Sequence, residues 1–320
     1  MKTLDLTSLD NSDIKYRIDK FPDGQQQVVI DKSNCYESDY GYILMTHEDC
    51  KVTIKSRLNN FQDLELIICA TKSLRNIGVK EIHLYTPYFL GSRSDRQFEE
   101  GSNNYLKDII CPIINSLKFD SVTVLDPHSD VLEACLNNFK KDKDNQVKLV
   151  QKALSSINNH PSSVIQDKFI LLSPDAGASK KIYKIAEQIG YKGDIITCSK
   201  DRDKDGKLTK TVVPDDGGIL GEGRDVIIID DICDGGATFI NIAKEIKWQM
   251  ATQSKIYLIV THGIFSKGFE ELSKYFDGIY CTNSYKDIND YITDPPFLVK
   301  QLNVMIKNIQ SITYMKNLKN

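Results

Sequence analysis

The chain lacks the features that mark several large protein classes. Its eight cysteines, at positions 35, 50, 69, 111, 135, 198, 233 and 281, form no CxxC pair and no metal-finger spacing. That excludes a zinc-ribbon or thioredoxin-type centre. Cys69, Cys111 and Cys198 sit inside apolar runs, where a thiol behaves as a small hydrophobe, so a reduced, cytoplasmic chain is expected. No window is apolar for long enough to span a bilayer, and the opening residues Met1 to Leu6 lack the apolar core of a secretory signal, so no membrane partner is expected. An excess of one charge is missing too: 41 Lys and Arg stand against 44 Asp and Glu, for a net charge of -3. The signs are interspersed, and the one basic-rich stretch, residues 139–148, is diluted by Asp142 and Asp144. No nucleic-acid partner is expected.

What is present is an ordinary core-forming composition, 41% hydrophobic over 320 residues, enough for two domains that each bury a core. Short β-rich runs at 82–89, 121–126, 169–175, 194–200, 225–231 and 255–265 alternate with helical patterns. The helical patterns fall at 61–77, 104–117, 180–190, 238–250 and 297–309. In the first of them Leu64, Ile67, Ile68 and Leu74 recur at helical spacing and mark a buried face. Such alternation predicts an α/β fold of mainly parallel twisted sheets flanked by helices, with sites beyond the strand carboxyl ends. The polar stretch 139–148 reads as a domain junction, giving domains 1–143 and 144–320. Residues 201–224, with Pro214, several glycines and many charges, read as a long loop closing over the active site.

One stretch concentrates chemistry. Residues 226–238 read V-I-I-I-D-D-I-C-D-G-G-A-T. An apolar β-branched run ends in two carboxylates, Asp230 and Asp231, suited to accepting hydrogen bonds from neighbouring sugar hydroxyls. Asp234, Gly235, Gly236, Ala237 and Thr238 follow as a turn whose backbone N–H groups can close on a phosphate at the positive end of the next helix.

This stretch resembles the phosphoribosyl-pyrophosphate loop of type I phosphoribosyltransferases and of ribose-phosphate pyrophosphokinases, and six further segments follow the pyrophosphokinase order. F-P-D-G-Q, with Phe21, Asp23 and Gln25, is similar to an F-S-D-G-E that holds adenine. P-Y-F-L-G-S-R-S-D-R-Q at 87–97 is similar to a segment whose arginines clamp ATP; its counterparts here are Arg93, Ser94, Asp95 and Arg96. D-P-H ends in His128, which the resemblance places at the metal and the ATP phosphates, and S-P-D ends in Asp175, a second metal ligand. Lys200 and Arg202 match the K-x-R pair of a catalytic flexible loop, and T-H-G-I-F-S covers 261–266. The resemblance runs from about residue 20 onward. It implies two phosphoribosyltransferase-like domains with the active site in the cleft between them, and a last helix at about 296–312 packing back on the first domain. It also implies a homo-oligomer, dimer or hexamer, in which the adenine-holding segment reaches a neighbour.

The implied reaction uses Mg²⁺ and ATP to move a diphosphoryl group to the 1-hydroxyl of ribose 5-phosphate, releasing AMP. Cations and alignment do such work, with little covalent chemistry. Gly235 and Ala237 replace a threonine and a glycine of the family's D-T-G-G-T, which removes a hydroxyl donor and adds a methyl. That is compatible with a larger acceptor such as ADP-ribose, used by relatives in phage NAD-rebuilding pathways, which would set the enzyme in a host cytoplasm. Gln25 replaces the adenine-reading glutamate and Ser94 a glutamine. With only twenty residues before Phe21, the first strand and helix are expected to be trimmed or rearranged. A phosphoribosyltransferase would leave the Phe21, Arg93 and His128 segments idle. A non-catalytic regulator of a synthetase would not need Lys200, Arg202 and His128.

Overall fold

The computed structural model describes residues 1–33, 50–158, 168–202, 208–214, 218–251, 253–290, 299–305 and 312–315. Cys35 and parts of the 201–224 and 297–309 segments lie outside them. The chain divides into two compact units, the first spanning Met1–Lys143 and the second built on Asp144–Val304.

In the first unit, β1 (Lys2–Asp5), a hairpin of β2 (Tyr16–Lys20) and β3 (Gln26–Ile30), β4 (Lys51–Lys55), helix α1 (Phe61–Asn76) and β5 (Glu81–Tyr85) come in order. A π-helical turn, Tyr105–Ile110, then leads into α2 (Cys111–Ser116), followed by β6 (Ser121–Leu125), α3 (Val131–Cys135) and β7 (Phe139–Asp142). The sheet runs β1-β4-β5-β6-β7, and every pair in it is parallel. Its strands bury Val52, Ile54, Ile82, Leu84, Val122 and Val124, on which Leu64, Ile67 and Leu74 of α1 close. Asn60 caps α1 by accepting the Asp63 N–H, which satisfies an orphan donor of the first turn.

The second unit begins with α4 (Asp144–Asn158) and β8 (Phe169–Ser173), then α5 (Ala176–Gln188) and β9 (Ile195–Thr197). An antiparallel hairpin of β10 (Ser199–Arg202) and β11 (Leu208–Val212) follows, then β12 (Asp225–Cys233), α6 (Ala237–Gln249) and β13 (Ile256–Gly263). The unit closes with α7 (Glu270–Ser273), β14 (Gly278–Thr282), β15 (Val299–Leu302) and β16 (Ile312–Met315). Its sheet order is β16-β15-β14-β13-β12-β8-β9. All its pairs are parallel except β15 with β16. The centre is buried on both faces, so β12 and β13 read as continuous apolar runs.

The structure corrects two expectations and sharpens two others. Of the first strand and helix, expected to be trimmed or rearranged, the strand is present: β1 pairs in register with β4, Lys2 opposite Val52. No α-helix follows it, only a 3₁₀ turn at Leu9–Asn11. Residues 139–148 contain the division between the two units, after Lys143, and they are structured on either side of it. Phe139–Asp142 pairs with β6, and its polar residues suit an exposed sheet edge. Residues 201–224 are not one irregular loop, because Lys200 and Arg202 lie in a strand paired with Thr211 and Leu208. Val213 and Leu220 anchor the rest in the second core. The last helix is absent where Val299–Leu302 extends the sheet. Val299 and Leu302 are spaced like a helical face, but the four residues are all buried between β14 and β16. Gln301 donates to the Thr282 and Lys286 carbonyls at 3.2 and 2.9 Å. Sheet extension has overridden local periodicity.

Candidate active site

The first unit gathers two of the sequence-singled segments at adjacent strand ends. Pro87 follows β5 and His128 follows β6, and the two turns are tied together because Leu125 N–H donates to the Pro87 carbonyl at 3.1 Å. Tyr88, Phe89 and Ser92 turn inward, leaving Arg93, Arg96 and His128 exposed. The arginine turn is held by its backbone: the Ser94 and Asp95 carbonyls accept from Leu106 N–H at 3.1 Å and from Asn104 Nδ2 at 2.7 Å. Both donors belong to the π-helical turn or its cap, an irregularity often found at functional sites. Gly91, at φ +80°, lets the Tyr105 ring close on the loop; a Cβ there would lie 2.7 Å from that ring. Phe21, Asp23 and Gln25 sit apart, on the β2–β3 hairpin tip, where Phe21 N–H bonds the Gln25 carbonyl at 2.9 Å. Asp23 Oδ1 accepts the Gln25 N–H at 3.1 Å, and Phe21 is 45% exposed.

In the second unit, Asp175, Asp230, Asp231 and residues 261–266 lie at the carboxyl ends of the neighbouring strands β8, β12 and β13. Asp175 caps α5 by accepting the Ala178 N–H at 3.0 Å. Asp231 is buried and accepts from Lys181 Nζ of α5 at 3.1 Å, while its own N–H donates to Asp230 Oδ1 at 2.9 Å. Burial, then the like charge of Asp231, pushes the Asp230 carboxyl well above the usual carboxylate range. Two carboxylates side by side at a strand end are costly, and pairs of this kind collect at functional sites.

The turn beyond them has the shape an anion needs. Gly236, at φ +79°, is the N-cap of α6 and supplies no side-chain acceptor, so the first N–H groups of the helix stay uncapped by side chain. A Cβ on Gly236 would lie 2.9 Å from Leu272, so glycine is needed there twice over. Ala237, not Thr238, opens the helix, and its methyl is exposed, so it crowds nothing in this chain. From β13, Ile264 and Phe265 N–H donate to the Cys233 carbonyl at 2.9 and 3.2 Å. Ser266 Oγ donates to Asp234 Oδ1 at 2.5 Å.

Sequence reasoning missed three of these residues. Lys181 carried no motif, Ser266 was quoted without a role, and Lys267 lies one residue past the last matched segment. Only the packing of α5 and of the β13 turn reveals them. Lys200 and Arg202 stand on β10 in this unit. Among the described residues no cluster of three or more His, Cys, Asp or Glu is set to hold a metal.

These features define a phosphoribosyltransferase-type α/β unit, and the phosphoribosyl transferase domain family matches residues 141–289. The chain as a whole is similar to ribose-phosphate pyrophosphokinases. A ribose-phosphate pyrophosphokinase of Saccharolobus solfataricus is 30% identical over 203 residues, 62% of this chain and 65% of that protein. One from Mycoplasmopsis pulmonis is 28% identical over 71% of this chain and 65% of its own length. One from Pyrococcus furiosus is 27% identical over 83% of this chain and 85% of the relative. The chain thus spans about two thirds (65%) of the length of the first two relatives. Among solved structures, the phosphoribosylpyrophosphate synthetase from Mycobacterium smegmatis shares the fold, with a TM-score of 0.70 at 17% identity, covering 93% of this chain and 88% of that one.

Proposed function

We propose that the protein transfers the diphosphoryl group of ATP to the 1-hydroxyl of ribose 5-phosphate, giving phosphoribosyl pyrophosphate and AMP. The observation that carries this reading is the acid pair Asp230 and Asp231 set directly before an uncapped helix N-terminus at the end of β12. The sugar's 2- and 3-hydroxyls bond the two carboxylates, and its 5-phosphate lies against Asp234 to Thr238. Arg93 and Arg96 bind the ATP phosphates as planar guanidinium forks, with Ser94 and Asp95 shaping their turn. Phe21, Asp23 and Gln25 hold adenine, from a neighbouring subunit of a homo-oligomer. The 1-hydroxyl oxygen attacks the β-phosphorus and the bond to the α-phosphate oxygen breaks. AMP takes that electron pair, and the hydroxyl proton passes to Asp234 or to solvent. Lys200 and Arg202 stabilise the charge that builds up on the leaving side.

Mg²⁺ neutralises and aligns the phosphate oxygens when bound. It takes few protein ligands and keeps waters and substrate phosphates, a habit that suits His128 and Asp175 offered singly, with no carboxylate cage among the described residues. ADP-ribose is the second acceptor reading, favoured by one observation: Gly235 places no hydroxyl in the phosphate turn, and a lysine stem occupies the space instead. The proposed setting is the cytoplasm. The test is AMP release from ATP and Mg²⁺, with ribose 5-phosphate and ADP-ribose at matched concentrations. AMP formed with ribose 5-phosphate in preference supports the first reading, and preference for ADP-ribose replaces it by the second. AMP formed with neither overturns both.

A further inference from the structure

The phosphate turn has lost a side-chain donor and gained a neighbour. At Gly235, a Cβ would lie 3.3, 3.4 and 3.6 Å from Lys267 Cδ, Cε and Cγ, and these are the three closest atoms of any kind. The methylene stem of Lys267 therefore lies along the space a threonine side chain at 235 would fill. Its backbone position is firmly set. The Ile264 and Phe265 N–H groups bond the Cys233 carbonyl, and Ser266 Oγ bonds Asp234. These contacts lock the β13 turn against the two residues that precede Gly235. Among the described residues Lys267 itself has no ion pair or hydrogen bond, and it is exposed. By contrast Lys181, the other lysine of the site, is committed to Asp231.

We propose that Lys267 is the phosphate-binding side chain of this turn, replacing the absent hydroxyl at 235 and contacting a 5-phosphoryl oxygen of the acceptor sugar. This rests on the sugar-phosphate reading of the turn given above. A neutral hydroxyl offers one hydrogen bond of fixed reach. An ammonium on a four-carbon stem brings a full charge, three donors and freedom of reach, and adds to the partial positive charge of the α6 N-terminus. The site therefore recognises a phosphoryl group mainly by charge. It serves a terminal phosphate monoester and the inner phosphate of a diphosphate ester alike, because the ammonium can follow the oxygen that remains. Position 235 and position 267 are then alternatives: a side chain at one displaces the side chain at the other.

The test measures equilibrium binding of ribose 5-phosphate and of ADP-ribose by titration calorimetry to the full chain and to Lys267→Ala, Lys267→Arg and the double variant Gly235→Thr with Lys267→Ala. ATP binding serves as the control. Gly235 is absent from the positive-φ residues, so its backbone accepts a threonine, and removing the lysine stem clears the three nearest atoms. The expected results are at least tenfold weaker binding of the acceptor by Lys267→Ala, near-native binding by Lys267→Arg, unchanged ATP binding, and partial recovery in the double variant. Recovery is expected for ribose 5-phosphate more than for ADP-ribose, because a fixed hydroxyl suits the monoester. Equal acceptor affinity of wild type and Lys267→Ala overturns the proposal, even where AMP release shows the reaction reading to be right. Loss of ATP binding as well would show general damage and also count against it. If wild type binds an acceptor but releases no AMP, the reaction reading falls while the role of Lys267 is still decided by the affinities. Binding of neither sugar by wild type overturns both.

Discussion

The two units carry their charged groups in opposite ways. In the first, Arg93, Arg96 and His128 stand exposed on turns whose backbones do the structural work. In the second, the acids belong to the sheet itself: Asp231 is 5% exposed, and its neighbour's carboxyl is pushed up by burial and by that same charge. The contrast follows from what each charge costs. A guanidinium on a polar turn keeps its hydration until a ligand arrives, so it weighs little on the fold. A carboxylate at the end of a buried parallel strand loses water at once and is tolerated only with a partner. Lys181 is such a partner for Asp231, and Asp230 accepts the Asp231 N–H. The second unit therefore stores unfavourable charge where a sugar's hydroxyls are proposed to relieve it, and the first holds exposed charge where a phosphate chain is proposed to collect it.

The largest effect expected lies on the hairpin of the second unit. Lys200 sits on the β10–β11 hairpin, and Lys200→Ala is expected to cut the AMP-forming kcat about a thousandfold or more, in the range seen when a phosphoryl-transfer cation is removed. ATP binding should be largely kept; activity near wild type would take the hairpin out of the reaction. Next, replacing both Asp230 and Asp231 by Asn should weaken acceptor binding by roughly a hundredfold to ten-thousandfold while leaving the ATP affinity alone, since each lost charged hydrogen bond is worth on the order of 1.5–3 kcal/mol. An unchanged acceptor Kd would mean that the sugar sits elsewhere. The mirror experiment is Arg93→Ala or Arg96→Ala, expected to raise the KM for ATP about tenfold each and to leave the acceptor KM unmoved. A rise in the acceptor KM instead would erase the division of labour between the units.

Stability should separate the units with the sign reversed from activity. The Asp230 carboxyl has a folded pKa above its ordinary 3.8, so the folded state holds its proton more tightly than the unfolded chain does. Its contribution to stability is fully present below 3.8 and is lost as pH rises through the folded value. At neutral pH the charge is a liability, and Asp230→Asn should raise the Tm by roughly 2–4 °C for each 1 kcal/mol relieved. That gain should shrink towards zero as the pH is lowered below the folded pKa. Lys181→Met should do the reverse, because it strands a buried carboxylate that now has an ion pair. Arg93→Ala should leave Tm unchanged at any pH. A scan from pH 4 to pH 8 in which Asp230→Asn melts at or below wild type throughout would contradict the burial argument.

Much of this was legible in the sequence, for a physical reason. A parallel strand buried on both faces must be a continuous apolar run, so the V-I-I-I before Asp230 could be little else. A glycine pair before a helix announces a turn that needs φ > 0, and Gly236 takes that conformation. The misses share a cause. At Phe139–Asp142 and Val299–Leu302 the residues are polar or ambiguous in period, and what makes them strands is a neighbour already in place, β6 in one case and β14 in the other. No local pattern carries that information. The same holds for the site: Asp230 and Asp231 declare themselves beside each other in the chain. Lys181 lies fifty residues from Asp231, and Lys267 reaches Gly235 only because the β13 turn hangs from Cys233.

The smallest effect expected concerns the hairpin tip of the first unit. Phe21 is 45% exposed on a turn closed by its own backbone, with Gly24 at φ +95° and open space around it. Truncating a half-exposed ring there gives up little burial, so Phe21→Ala should change stability by about 0.5 kcal/mol or less. An aromatic ring is kept on an exposed tip at some risk to solubility, which makes sense if it meets something flat. If the tip holds adenine at a neighbour's site, the variant should raise the KM for ATP in the assembled protein while Tm stays put. The deficit should also be partly complemented in mixed oligomers that pair Phe21→Ala subunits with Lys200→Ala subunits, since one site of each mixed pair then draws an intact tip and an intact Lys200. Without that recovery on mixing, the tip serves its own chain or none, and the contrast between exposed charge in the first unit and buried charge in the second must account for ATP binding alone.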